Sequence, residues 1–277
     1  MLPPDLNTGK HKFSVNTDGQ IVYGIGAIKG VGEGPIEAII QAREKHGFLT
    51  DLFDFCTKVE LKRVNKRVLE KLVLSGAMDN LGPRVGPNNA PHRAALWETL
   101  PDALAAAGQQ AKAESAGQSD MFGLMTSEPE DASGVFADVP MWSEKQWLNG
   151  EKETLGLYLT GHPINQYREE IKHYCSGRLI DLKPTPRDGN VTAVGLVLGV
   201  RVMVNKKGRR WAIVTLDDKS ARVDARFFPD DFERFEEILQ ADKVLVVSGS
   251  VMFDEFRGGL TITVREVMDI VGAREKH

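Results

Sequence analysis

The 277-residue chain has only two cysteines, Cys56 and Cys175, far apart and without ligand-type neighbours. That spacing indicates neither a disulfide framework nor a cysteine-based zinc site. A reducing, cytoplasmic setting is the simplest expectation. No apolar run is long enough to span a bilayer, so no membrane partner is expected. Met1-Leu2-Pro3-Pro4 lacks the charged leader and apolar stretch of a signal peptide. An excess of positive charge is missing too. The formal net charge is −4, so any contact with nucleic acid must rest on local patches. No Ser-His-Asp or Cys-His constellation appears. Two-metal chemistry needs carboxylates around ions about 4 Å apart. The acidic pairs Asp217-Asp218 and Asp230-Asp231 fall in a predicted hairpin turn and at a predicted helix N-terminus, where Asp serves as a cap. No catalytic residue and no metal ligand is therefore assigned.

What is present is an ordinary globular composition, 42% hydrophobic and 27% charged, in a chain long enough for one to three domains with a real core. Its most informative stretch is Tyr23-Gly24-Ile25-Gly26-Ala27-Ile28-Lys29-Gly30-Val31-Gly32-Glu33-Gly34-Pro35-Ile36. Gly30-Val31-Gly32 reads as a tight turn whose amides can point at one oxygen-rich ligand. Pro35 suits the first turn of the helix that follows, and Ile36, Ile39 and Ile40 mark its buried face. Amides at a helix N-terminus suit a phosphate. The stretch resembles a helix-hairpin-helix motif, a sequence-independent binder of nucleic-acid backbone, with Lys29, Gly30, Val31, Gly32 and Gly34 as contact residues. A glycine-rich turn that only packs helices is the alternative. The stretch has neither the strand and acidic residue of a dinucleotide fingerprint nor the Gly-Lys-Ser/Thr of a phosphate-binding loop.

Gly47 ends that helix, and Asp51 begins another. A third is predicted from about Asn65 to Leu74, with Val64, Val68, Leu69, Leu72 and Val73 as its apolar stripe and Ser75-Gly76 as its stop. Its approach and exposed side carry Lys58, Lys62, Arg63, Lys66, Arg67 and Lys71 against only Glu60 and Glu70. That cluster is either a track for a DNA backbone or a solvated helix face. An Ala-rich helix is expected over about 92–116, broken near Pro101. From about 109 to 150 the composition turns to Ala, Gln, Gly, Ser, Glu and Pro and reads as a flexible connector. Gln118-Ser119-Asp120-Met121-Phe122 is an apolar island within it. It either packs locally or anchors the chain in a partner's pocket. The order of Gln118, Asp120, Met121 and Phe122 is similar to the pentapeptide with which bacterial replication proteins dock into the sliding clamp. Ser119 and Met121 depart from the strongest versions, which implies moderate affinity.

From about Arg178 the period becomes two. Strands are expected over 191–204, around 212–216, around 223–227, over 243–251 and over 260–267, with a helix over 229–239. Strand–strand–strand–helix–strand–strand is the OB-fold order. Such barrels bind single strands across strands 2 and 3 and the loops joining strands 1–2 and 4–5. Those places hold Lys206, Lys207, Arg209, Arg210, Trp211, Arg222, Arg226, Phe256 and Arg257. The alternative is a barrel that binds protein.

Gly150-Glu151-Lys152-Glu153-Thr154-Leu155-Gly156-Leu157-Tyr158-Leu159-Thr160-Gly161-His162-Pro163-Ile164 completes the reading. Taken in order, the glycine hairpin, the pentapeptide and this run closely resemble the C-terminal third of the α (polymerase) subunit of bacterial DNA polymerase III. The resemblance covers essentially the whole chain. It implies an α+β protein: an N-terminal helical helix-hairpin-helix domain (1–108), a connector with the clamp-binding pentapeptide (109–150), a helical bridge (151–177) and a five-stranded OB-fold barrel (178–277). It implies duplex DNA, single-stranded DNA, the sliding clamp and other subunits of the polymerase as partners. The family's catalytic aspartates and their Mg2+ would lie before residue 1, and no cofactor is expected in this stretch. His162 reads as a turn residue, with Pro163 starting the next helix. The competing expectation is a scaffold whose two domains bind replisome subunits rather than DNA.

Overall fold

A computed structural model describes residues 1–115, 134–255 and 258–276. Gln118, Asp120, Met121, Phe122, Phe256 and Arg257 lie outside the described residues. The chain divides into two units, Met1–Gly161 and His162–His277.

The first unit is helical. After a small hairpin of β1 (Ser14–Val15) and β2 (Ile21–Val22) come α1 (Glu33–His46), α2 (Leu52–Lys58) and α3 (Lys66–Ser75). Local chemistry sets the boundaries. Asp51 accepts the amides of Phe53 and Asp54 as the cap of α2, and Asn65 accepts that of Val68 as the cap of α3. Gly76, at φ 81°, ends α3 in the left-handed conformation that favours glycine. A second hairpin, β3 (Arg84–Val85) with β4 (Ala90–Pro91), leads into α4 (Arg93–Ser115). Pro101 does not break α4 as expected. Leu96, Leu100, Ala103 and Ala107 are buried on both sides of it, and this continuous packed stripe carries the helix through the missing hydrogen bond.

The connector and bridge also differ from expectation. Helix α5 (Glu144–Leu155) lies inside both predicted segments and packs on α3, as part of the first unit. It begins with a capping box, in which Ser143 and Gln146 satisfy one another's amides. The core of the unit includes Ile25, Ile36, Ile39, Phe55, Leu69, Leu72 and Leu100, with Phe136 and Trp142 packed at its edge.

The second unit begins with a 3-10 turn, Pro163–Tyr167, capped by the His162 side chain, and α6 (Arg168–Tyr174). Five strands then close a barrel in the order β5-β6-β7-β9-β8: β5 (Val191–Val204), β6 (Arg210–Asp217), β7 (Arg222–Phe227), β8 (Val244–Asp254) and β9 (Gly259–Asp269). Neighbours are antiparallel except β7 and β9, which pair in parallel with Ala225 opposite Ile262. Val200 faces Val214, and Ala193 faces Val247. This register points Ala212, Val214, Leu216, Val223, Ala225 and Phe227 inward, and a one-residue slip would expose them all. A bulge between Ser248 and Gly249 bends β8. A Cβ on Gly249 would lie 2.0 Å from the Thr263 carbonyl oxygen, so only glycine fits there. Helix α7 (Pro229–Phe235) packs on the barrel through buried Phe232, a burial that contributes about 1.5–3 kcal/mol. Helix α8 (Ile270–Lys276) follows β9.

Candidate nucleic-acid interface

The first candidate site is the loop entering α1. A single 3-10 turn, Ile25–Ala27, precedes it where a hairpin would have a full first helix. Ile25 and Ile28 are buried beneath the loop, and the Lys29 amide donates to the Thr154 carbonyl at 2.8 Å. Gly30 sits at φ +83°, a conformation that admits glycine with little strain. Gly32 is the N-cap of α1 with no side chain to fill the role. Among the described residues, the amides of Gly32, Glu33 and Gly34 have no protein acceptor; the α1 ladder starts at Ile36, which donates to Gly32. Three donors at one helix N-terminus thus remain available on a fixed loop.

Cations ring this loop. The Lys71 side chain passes 3.4 Å from where a Gly30 Cβ would sit, and the Arg63 guanidinium passes 3.7 Å from that of Gly34. The structure therefore brings Lys71 and Arg63 of the α3 cluster beside the hairpin loop. It also supplies acids that a local count does not see. Arg63 pairs with Glu37 at 2.7 Å, Lys58 with Asp54 at 2.8 Å, and Lys71 with Glu153. Lys29, Lys62, Lys66 and Arg67 are exposed, with no acidic partner among the described residues.

The second candidate site is the outer face of β6 and β7. Trp211, Thr215 and Asp217 of β6 and Arg222, Asp224 and Arg226 of β7 alternate with the inward set, as the period of two requires. Met203 pairs with Trp211 across to β5. Ala212 pairs with Phe227, so Phe228, 48% exposed, continues the register beside Trp211. Sequence reading passed over Phe228 because it lies one residue beyond the alternating run. Lys206 and Lys207 occupy the β5–β6 turn, exposed and without an acidic partner among the described residues. The arginines are placed differently. Arg209 pairs with Asp230 at 2.6 Å, Arg210 with Glu236 at 2.6 Å, Arg222 with Asp217 at 2.8 Å, and Arg226 with Asp254. The Arg209 and Arg210 pairs are exposed and hold weakly, so a polyanion can compete for these two arginines, whereas Arg222 and Arg226 face the buried carboxylates of Asp217 and Asp254.

The Gly150–Ile164 run is built around a buried acid. Glu151, on α5, is fully buried. Its carboxylate accepts from the Leu159 and Thr160 amides, the Thr160 hydroxyl and the Trp147 indole N–H. Arg93 lies between Glu151, at 3.5 Å, and Asp79, which it grips with two bonds of 2.7 and 2.8 Å. Its guanidinium stacks 3.7 Å from the centre of the Trp147 ring. Sequence reading missed this cluster, although Ser143-x-x-Gln146 announces the helix that carries it. At the start of the second unit, His162 Nδ1 accepts the Ile164 amide and Nε2 lies 3.4 Å from Asp217 Oδ1.

Among the described residues no group of three His, Cys, Asp or Glu could hold a metal ion. The two acidic pairs do not fit Mg2+. Asp217 is held by Arg222 and the Lys219 amide, Asp218 by the Ser220 and Ala221 amides, and Asp230 by Arg209. Burial pushes the Cys56 thiol up to about 12, so it is inert rather than a nucleophile. No helix among the described residues is long and apolar enough to cross a membrane.

Residues 1–85 match the family model described as a helix-hairpin-helix motif, and residues 191–270 match one described as an OB-fold nucleic acid binding domain. The chain thus joins a helix-hairpin-helix domain to an OB-fold domain. It is 56% identical over its whole length to DNA polymerase III subunit alpha of Escherichia coli and 53% identical to that of Vibrio cholerae, covering 23% of each. Against the subunit of Pseudomonas aeruginosa it is 44% identical over 99% of its length. The chain belongs to the DNA polymerase III subunit alpha family and corresponds to its C-terminal part, spanning about a quarter of the length of these relatives.

Proposed function

We propose that this chain holds DNA in two forms for a replicative polymerase. The unpartnered amides of Gly32, Glu33 and Gly34, with Arg63 and Lys71 beside the loop and exposed Lys29, Lys62, Lys66 and Arg67 on the same domain, carry the reading. They suit the phosphates of duplex DNA, whose contact is independent of sequence. Trp211, with Lys206 and Lys207 in the adjoining turn, suits a single strand, the ring stacking on bases and the cations tracking phosphates. Arg209 and Arg210 join that path by exchanging their exposed carboxylates for phosphate, while Arg222 and Arg226 flank it paired to buried Asp217 and Asp254. Gln118, Asp120, Met121 and Phe122, outside the described residues, are proposed to dock in the sliding clamp. The polymerase chemistry, with its Mg2+, is assigned to parts of the relatives that this chain does not span, and other polymerase subunits are its partners in the cytoplasm.

A second reading has one observation in its favour. The paired arginines leave the β6–β7 face closer to neutral than its cation count suggests, which suits a protein-binding barrel. Simultaneous occupancy separates the two. Duplex and oligo-dT carrying different fluorophores should bind the full chain together. Mutual displacement argues for one shared site, and binding of neither argues for the scaffold. Clamp docking is tested with purified clamp: Met121→Ala with Phe122→Ala should abolish it and leave DNA binding unchanged.

A further inference from the structure

Within residues 162–277 a groove of about 490 Å3 runs between α6 and the β6–β7 turn. Its floor is aliphatic, formed by Ile164, Ile171 and Val194. Its rim carries Arg168, Lys172, Arg178 and Lys219. Lys172 pairs with Glu169 at 2.7 Å and Arg178 with Asp181 at 2.9 Å, both exposed pairs that bind weakly. Arg168 and Lys219 are exposed and have no acidic partner among the described residues. The carboxylate in the wall, Asp218, is already occupied by the amides of Leu179, Ser220 and Ala221. Lys219 is fixed at φ +75° by the turn, with its amide bonded to Asp217 at 2.7 Å. The rim therefore presents four cations, two of them without an acidic partner among the described residues, around an apolar floor.

Among the described residues none that lines the groove is aromatic, so they offer a base no ring to stack on. A nucleic acid would use only the rim. An acidic peptide with a large apolar side chain would use both halves, its carboxylates on the cations and its apolar group on the isoleucines. We propose that this groove docks an acidic, apolar-anchored peptide segment of a partner protein. This surface lies at the turn that ends the β6–β7 platform rather than on its strands, and the assignment stands whether or not that platform binds DNA.

The probe is a fluorescein-labelled peptide with acidic residues flanking a central Leu-Phe, titrated into the full chain by anisotropy. Binding should be saturable and weaken by about tenfold or more in Arg168→Glu with Lys219→Glu. Replacing Leu-Phe by Gly-Ser in the peptide should weaken it comparably. Oligo-dT binding, measured in parallel, should not change. Should the double variant unfold, Lys219→Asn removes one charge and suits the left-handed turn; it should still weaken the peptide about threefold. No saturable binding by the parent chain overturns the proposal, as does affinity indifferent to these charges. Oligo-dT that displaces the peptide and is weakened by the same substitutions also overturns it, assigning the groove to nucleic-acid phosphates.

Discussion

The carboxylate of Glu151 accepts the backbone amide of Leu159 at 2.8 Å, across the turn that ends α5. The next amide, of Thr160, reaches the same oxygen at 3.0 Å. The run after α5 is thus folded back onto its own helix, and Arg93 ties both to α4 and Asp79. Glu151, Leu159 and Thr160 of the Gly150–Ile164 run therefore do structural work within the first unit.

Glu151→Ala should be severely destabilising. It leaves Arg93 to Asp79 alone and strips the Leu159 and Thr160 amides and the Trp147 indole N–H of their buried acceptor, a loss of about 3–5 kcal/mol. Glu151→Gln, which keeps one acceptor oxygen, should lose less. Urea unfolding of the two variants measures this. An alanine variant as stable as the parent would mean that the cluster contributes nothing net.

The hairpin glycines should separate folding from binding. A Cβ on Gly32 would meet only Pro35 Cδ, at 3.9 Å, and its φ of −75° suits any residue. Gly32→Val should keep the melting temperature and weaken duplex binding about tenfold by blocking phosphate approach. Gly30→Ala, at φ +83°, should instead lose about 1–2 kcal/mol of stability. Calorimetry and duplex anisotropy on both variants give the comparison. Intact duplex affinity in a folded Gly32→Val protein rules the loop out.

Trp211 and Phe228 should share a single-stranded platform. Oligo-dT should quench tryptophan emission of the full chain, and each ring replaced by alanine should reduce affinity by about 1–3 kcal/mol. Unchanged affinity in both variants would move any single strand to another face.

His162 should give stability a pH dependence. Burial holds its imidazole below the usual histidine range, against the pull of Asp217, and Nδ1 must stay unprotonated to accept the Ile164 amide. The native state therefore binds the proton less readily than the unfolded chain, whose histidine titrates near ~6.5. The stabilisation is complete above that value and is lost as pH falls below it toward the folded pKa. His162→Asn keeps a capping oxygen and should remove this part of the slope. Denaturation midpoints of both proteins from pH 5 to 7.5, roughly the window around that titration, decide the matter. Equal slopes would show that another group is responsible.

The parts legible in the sequence were those fixed by local chemistry. Asn65 and Gly76 bracket α3 because a cap and a left-handed glycine act within one turn. The barrel was legible because Ala212 to Leu216 and Val223 to Phe227 alternate cleanly around polar turns. Helix α5 was not, because its buried face is partly polar: Glu151 and Thr154 sit where an apolar stripe is expected. The ion pairs were not legible either. Arg63 finds Glu37 from 26 residues away and Lys71 finds Glu153 from 82, so a count of neighbouring charges overstated the positive patch.

Salt titration of duplex binding tests the central claim most directly. Mixed-sequence duplex should bind the full chain with log K falling linearly in log salt, at a slope of about −3 to −4 for three or four phosphate contacts. Lys62→Gln, Lys66→Gln and Arg67→Gln together should flatten that slope by about 2 to 3. Duplex binding that ignores salt, or a slope unmoved by the triple variant, would contradict the assignment of this surface to the DNA backbone.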